Sequence, residues 1–449
     1  MDELRVALRY AAAGVHAQQQ HAAPAPHADV PGAGSPGAHE GARYVGVVDV
    51  ECAYSQRHWA AAFARRPWWA VCTAAEWAAG GGGGGSRPAV PPLQIREYEP
   101  LHWDDVLAGA VTTNNFMVRK GLCRKANFAA QMQRHVLKCG AGCPLARGLP
   151  ETAVIDTVPA LHGRPAWLDL GAAMADALSD ADDLIERTRR DAGAALWILK
   201  PSLANKGAEI HLVRGADEVE AAVRAWRDVG QWVLQEYVAR PLLLAGGRKF
   251  HLRVYALADG ALDVHVFGEA LVLCAVEPYG PAAGDPTARH AHITNTCVGA
   301  EHGGFLEAAH VRTLSELPAL LVEAGACASD ADAARRVGAL VAGVHASVAH
   351  VFDSFFGGMH GYQALPSAFE LYGLDFLVDE AWRLLLLEAN PTPDIRQSGS
   401  RLDPVIADLL EGAVRIGVDG RFPPPAGAAP PPPLRHGWAR VYSRAWPKR

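Results

Sequence analysis

Between Leu196 and Phe267 apolar residues come in short runs with polar ones alternating through them, the two-residue period of strands. LWILK, EIHLV, WVLQEYV, KFHLRVYALA and LDVHVF each read as a strand, and Asp217–Asp228 interrupts them as a helix. Upstream, YVGVVDV from Tyr44 predicts a strand and HWAAAFARR a helix; TAVID predicts a further strand, and SDADDLIERTRRDA a charged helix. Downstream, Val311–Glu323, Ala331–Phe356 and Pro404–Ile416 carry helical patterns. The mixture predicts an α+β fold, mostly antiparallel sheets with helices on one face.

The hairpin Glu370–Asn390, ELYGLDFLVDEAWRLLLLEAN, carries the most chemistry. Its apolar runs Gly373–Val378 and Arg383–Glu388 flank a short polar turn. If the chain folds back about Ala381–Trp382, Asp375 and Glu388 come out opposite each other. Asn390, two residues on, shares the face of Glu388. Facing carboxylates on an apolar hairpin repel. A hard cation removes that cost, because Mg²⁺ takes carboxylate and amide oxygens and a bound phosphate completes its shell. The competing reading is a solvated edge pair, against which the LLLL run argues for burial.

The 449 residues leave room for two or three domains. The ends are biased in composition: residues 1–42 are rich in Ala, Gly, Pro, His and Gln and predict a disordered low-complexity segment. A small α/β domain follows over 43–147, with Gly80–Gly85 as a flexible loop inserted in it. A central domain is expected over 148–240, a C-terminal domain over 241–420, and a proline-rich, basic tail over 421–449. A net charge of −6 provides no global basic field for nucleic acid. No apolar stretch approaches the roughly 20 residues of a membrane span, and no signal-peptide pattern opens the chain. Eight scattered cysteines suggest reduced cytosolic thiols and a cytoplasmic protein. Cys139 and Cys143 form an isolated pair, with no second pair or nearby histidine ligands to suggest zinc.

Four further segments carry candidate chemistry. In LWILKPSLANKGAEI a strand ends at Lys200, and Pro201, Ser202, Asn205 and Gly207 mark a loop containing Lys206. Two lysines bracketing a small-residue loop suit a flap over polyphosphate, although this is no Walker loop. Gln235 and Glu236 put a polar edge on the strand WVLQEYV. Lys249, His251 and Arg253 alternate and share a strand face, which asks for phosphate or carboxylate. Thr294 and Asn295, in HITNTC, offer short hydrogen-bonding groups.

Strand lysine, loop lysine, polar-edged strand, basic strand and carboxylate hairpin follow one another as in ATP-grasp ligases. From Tyr44 to Ile416 the sequence resembles tubulin–tyrosine ligase and its tubulin-modifying relatives. The matching stretches are LCRKA (Leu122–Ala126), WILKPS…KG, VLQEYV, PLLL with RKF and Arg253, EPY (Glu277–Tyr279), H-I-T-N and YGLDF…LLEAN. The resemblance implies central and C-terminal domains that sandwich ATP. It implies phosphate binding by Lys200 and Lys206 with Gly207, an adenine edge at Gln235, Glu236 and Val238, and nucleotide or substrate contacts at Thr294 and Asn295. Lys249 and Arg253 are expected at the γ-phosphate and acceptor carboxylate, and Asp375, Glu388 and Asn390 as Mg²⁺ ligands. Arg119, Lys120, Arg124 and Lys125 fall where the family faces acidic tubulin.

The chain departs from that pattern in three places: His251 replaces an aspartate near the ribose, Gly268 an arginine, and Glu209 a glycine of the phosphate loop. The expected reaction activates a peptide carboxylate of tubulin as an acyl phosphate, which the amine of an amino acid, tyrosine by first choice, then attacks. Glu388 belongs to the catalytic set with Lys249 and Arg253. The alternatives are a ligase that adds glutamate or another amino acid to a different acceptor, and a non-catalytic tubulin-binding protein of the same fold.

Overall fold

The computed structural model describes residues 43–80, 88–157, 178–179, 181, 183–186, 196–203, 210–226, 229–356, 361–396 and 399–444. The expectations for residues 1–42, the Gly80–Gly85 loop beyond Gly80, Lys206, Gly207, Glu209 and most of the charged helix after TAVID lie outside the described residues.

The first strands form a parallel sheet: β1 (Tyr44–Asp49), β2 (Trp69–Cys72), β3 (Leu93–Arg96) and β4 (Thr112–Thr113), in the order β2-β1-β3-β4. Helix α1 (Ala53–Ala64) returns the chain from β1 to β2, burying Trp59, Ala62 and Phe63. Helix α2 (Lys125–Cys139) follows, its inner face carrying Phe128, Met132 and His135.

Thr152–Glu236 forms a compact unit of its own. Its sheet is antiparallel throughout, with β5 (Thr152–Asp156), β6 (Trp197–Pro201), β7 (His211–Val213) and β8 (Gln231–Glu236) in the order β5-β8-β6-β7. Helix α3 (Ala216–Ala225) buries Val219 and Val223 in a core with Trp197, Leu199 and Trp232. Fully burying large aromatics of this kind contributes most of the stabilisation available to a small sheet.

Residues 38–151 and 237–449 make up the other unit. Its main sheet contains β9 (Leu243–Leu244), β10 (Arg248–Asp259), β11 (Asp263–Cys274), β12 (Val311–Thr313), β13 (Phe369–Val378), β14 (Leu384–Pro391) and β15 (Trp438–Ser443). Order β12-β11-β10-β13-β14 runs across it, with β15 also on β11 and β9 on β10. The segment from Val311 therefore opens as a strand; Pro318 helps start the helix only at Leu317–Glu323. The tail supplies β15, which pairs with β11 from Asp263 to Phe267.

Helices cover both faces of this sheet. Helix α4 (Asp330–Ser354), capped by Ser329, lays Val337, Leu340, Val344, Val348 and Val351 into one core as a stripe. By length and composition alone α4 could cross a membrane, as could the core helix of many a soluble protein. Helix α5 (Asp403–Val414) packs on the opposite face, in a core shared with Tyr255, Leu257, Phe267, Trp59 and Phe63. There Arg66 is fully buried and pairs with Glu411 at 3.0 Å and Asp419 at 2.7 Å, a placement tolerable only because both carboxylates meet it.

Candidate active site

The hairpin of β13 and β14 places Asp375 directly opposite Glu388 and Gly373 opposite Asn390. A bulge just past the acidic pair twists the strands, a common device beside functional sites. Trp382 turns the hairpin with φ of 63°. Asn390 and the two acids converge: its Nδ2 lies 3.1 Å from Glu388 Oε1 and 3.4 Å from Asp375 Oδ2. Asp375 is buried, as the leucine run implied.

Strand β10 supplies the cations. Arg253 is the cross-strand neighbour of Asp375 and holds it from Nε at 2.5 Å and Nη2 at 3.0 Å. Burial would lower the guanidinium pKa, but the Asp375 charge overrides it and the net shift is upward. His251 shares the face, with Nε2 3.6 Å from Asp375 Oδ1 and Nδ1 2.5 Å from Thr294 Oγ1. Burial lowers its pKa to about 4 against the opposing pull of Asp375, so the ring is neutral at pH 7. Lys249 is buried too; its Nζ donates to Tyr237 Oη at 2.9 Å and lies 4.2 Å from that ring's centre. Tyr237 Oη also meets His292 Nδ1 at 2.7 Å. Thr294 is buried, and Asn295 precedes the short helix Thr296–Gly299.

In the Thr152–Glu236 unit, Lys200 near the end of β6 donates from Nζ to Gln235 Oε1 on β8 at 3.0 Å, and both are buried. Gln235 Nε2 reaches Thr152 Oγ1 at 3.3 Å. Glu236 ends β8, and Val238 lies just beyond it in the irregular chain.

Two of the four residues expected to form an outward basic face point inward. Arg119 pairs with buried Glu370, which also accepts from Phe116 N at 2.9 Å and Tyr372 Oη at 2.7 Å. Lys125, at the start of α2, has its Nζ 3.5 Å from Glu388 Oε2 and is nearly enclosed. Their partners lie far along the chain, and a local charge pattern does not reveal them. Lys120 is exposed and Arg124 half-buried. The converse omission is Tyr237, which reads in the sequence as one more aromatic of an apolar strand.

Two carboxylates and an amide oxygen within reach of one another are a hard-cation donor set. The Asn390 amide can present either its oxygen or its NH₂ by turning about its last bond. The residues present therefore fit Mg²⁺. The buried ammonium groups of Lys200 and Lys249 fit phosphate oxygens.

The profile of the Tubulin-tyrosine ligase family matches residues 162–425, more than half of the chain. The chain belongs to the tubulin-tyrosine ligase family. A probable tubulin–tyrosine ligase of Schizosaccharomyces pombe, C12B10.04, is 26% identical over 360 residues, which span 72% of this chain and 82% of the relative. The probable tubulin–tyrosine ligase PBY1 of Saccharomyces cerevisiae is also 26% identical, over 374 residues that span 73% of this chain but only 45% of that protein. Among solved structures, the C-terminal domain of K. lactis Pby1 aligns with a TM-score of 0.62 at 23% identity, covering 90% of this chain and 99% of that one. That domain is described as an ATP-grasp enzyme interacting with the mRNA decapping enzyme Dcp2. This member of the family thus has an α+β ATP-grasp fold preceded by a parallel α/β sheet, and is an ATP-grasp ligase.

Proposed function

We propose that this family member joins an amino acid, tyrosine as the first choice, to a peptide carboxylate in the acidic C-terminal tail of tubulin, at the expense of ATP and with Mg²⁺. The convergence of Asp375, Glu388 and Asn390 beside Arg253 carries this reading. Those three residues would hold the ion, which when bound shields phosphate charge and polarises the phosphoryl oxygens.

The protein's own residues do the rest. Lys200 and Lys206 with Gly207, and Lys249, would bind the phosphates. Gln235, Glu236 and Val238 would meet the adenine, and Thr294 and Asn295 the nucleotide or substrate. Arg253 orients Asp375 and offers a cation to the acceptor carboxylate as its oxygen takes the terminal phosphoryl group. The amine then displaces phosphate from the acyl phosphate. Such transfer needs positioning and charge stabilisation and no covalent nucleophile on the protein. Lys120 and Arg124 are the basic residues left to meet an acidic tail, in the cytoplasm or on microtubules.

The test is incubation of the chain with ATP, Mg²⁺, detyrosinated tubulin and labelled tyrosine or glutamate. Tyrosine incorporation that is lost in a folded Glu388→Gln variant supports the reading. Glutamate incorporation would assign the other ligase activity, and ATP binding with no incorporation of any amino acid would assign a binding role. Full activity of Glu388→Gln at limiting Mg²⁺ sinks the metal assignment.

A further inference from the structure

Cys139 and Cys143 look isolated in the sequence, but the fold brings two histidines to them. His135 lies one helical turn before Cys139 on α2, so both point along the same face. The chain reverses at Gly140, whose φ of +75° suits glycine, and Cys143 N donates to Gly140 O at 3.0 Å. That turn carries Cys143 back beneath the helix end. Helix α4 passes alongside and contributes His350. His135 Nε2 lies 3.1 Å from His350 Nδ1, Cys143 Sγ 3.8 Å from His350 Nδ1, and Cys139 Sγ 3.5 Å from His135 Nε2. The ligand atoms of His135, Cys143 and His350 all fall within 4.8 Å of one another.

The mutual separations of His135, Cys143 and His350 suit a shared metal ion, and Cys139 lies at the edge of that group, its Sγ 3.5 and 3.8 Å from the two His135 ring nitrogens. Zn–N bonds of about 2.0 Å and Zn–S bonds of about 2.3 Å in a tetrahedron put neighbouring ligand atoms about 3.3–3.8 Å apart. A hydrogen bond between the two rings accounts for their approach alone. It gives no reason for the Cys143 thiol to close on the same point, with a second uncombined thiol, the exposed Cys139, beside the His135 ring.

We propose that His135, Cys143 and His350 bind one Zn²⁺ and that the exposed Cys139 turns in as the fourth ligand of a tetrahedral Cys₂His₂ site. Each thiol gives its proton to solvent and binds as a thiolate, and each imidazole binds through a neutral nitrogen. Two thiolates balance the charge of the ion, as suits a site whose His135 and Cys143 are buried. The four protein ligands close the shell and leave no position for substrate, so the site is structural. It staples the C-terminal end of α2 to α4, and α2 is the helix whose other end sets Lys125 against Glu388.

The test uses the full chain, purified reduced and without a polyhistidine tag. Elemental analysis should find about one zinc per chain that survives dialysis against a weak chelator. Cobalt in its place should give the visible bands of tetrahedral Co²⁺ with a near-ultraviolet thiolate charge-transfer band. Cys143→Ser and His350→Ala should lose the ion. Cys139→Ser should bind it at least about tenfold more weakly, with about half the charge-transfer intensity. Glu388→Gln should keep its zinc, which separates this site from the hairpin acids, and the cysteine variants distinguish it from the histidines of residues 1–42. Wild-type protein that takes up no zinc, or cobalt with no thiolate band, overturns the proposal, as does a Cys139–Cys143 disulfide in protein kept reduced. If the cysteine variants fail to fold, the wild-type cobalt spectrum still decides.

Discussion

Arg253 grips Asp375 by both carboxylate oxygens across paired strands of one sheet, and both side chains are nearly enclosed. The fork fixes where those oxygens point, which a single ammonium cannot do. Arg253→Lys should therefore keep the fold and raise the Mg²⁺ concentration needed for half-maximal ligation by about 10- to 100-fold. Arg253→Ala leaves a buried acid without its partner and should destabilise by about 3–5 kcal/mol. Urea unfolding and Mg²⁺ titrations read the two effects separately. An unchanged Mg²⁺ requirement in the lysine variant would remove Arg253 from the role of orienting the acid.

Arg119 makes a contrasting pair with Glu370. Besides the ion pair, its guanidinium lies 4.5 Å from the centre of the Tyr98 ring. Burial pushes the Glu370 pKa up, and Arg119, Phe116 N and Tyr372 pull it back. Arg119→Ala should cost about 3–5 kcal/mol of stability. Lys120→Ala should leave stability within about 0.5 kcal/mol and weaken binding of an acidic tubulin-tail peptide in a salt-dependent way. The reverse pattern, with Arg119→Ala neutral in urea and weak in peptide binding, would restore Arg119 to an outward face.

These two arginines show what the sequence disclosed and what it withheld. Asp375 opposite Glu388 was legible because a period of two and one short turn determine the register of a hairpin. Lys249, His251 and Arg253 were legible as one face by the same alternation. What each cation pairs with was not, since Glu370 lies 251 residues from Arg119. The Cys143 and His350 approach spans 207 residues, and no local spacing announces it. Likewise Trp438–Ser443 follows a proline-rich stretch and reads as tail; it becomes a strand because the edge of β11 beside it has backbone groups to pair.

Acid should weaken the fold before its carboxylates are protonated. Burial lowers the pKa values of His58, His265, His310 and His345 from 6.5; at His58 and His265 this happens despite a nearby aspartate, Asp403 or Asp263, that pulls the other way. The unfolded chain protonates these rings near pH 6.5, and the folded chain only at lower pH. Unfolded protein therefore binds more protons in that window, so stability is held above about pH 6.5 and falls as pH drops below it. Urea midpoints measured from pH 7.5 to 5 should show this fall. His345→Gln should flatten it, because burial is the one cause at that position. A midpoint that rises as pH drops from 6.5 would contradict the direction of all four shifts.

Gly268 stands where the family resemblance places an arginine, and its backbone explains what the smaller residue permits. Its N–H donates to Gly437 O at 2.7 Å, and a Cβ at position 268 would lie 2.9 Å from that oxygen, too close to be accommodated. The strand β15 thus approaches because residue 268 has no side chain, and Trp438 completes the wall of an apolar cavity of about 300 Å³ with Val254, Val266 and Leu340. Gly268→Arg should displace β15, raise amide exchange over 438–443 and cost about 1–3 kcal/mol. The same substitution in a chain truncated after Arg435 should cost almost nothing, since the oxygen it collides with has gone. Equal penalties in the two backgrounds would mean that the arginine disturbs β11 itself and that the tail strand is incidental.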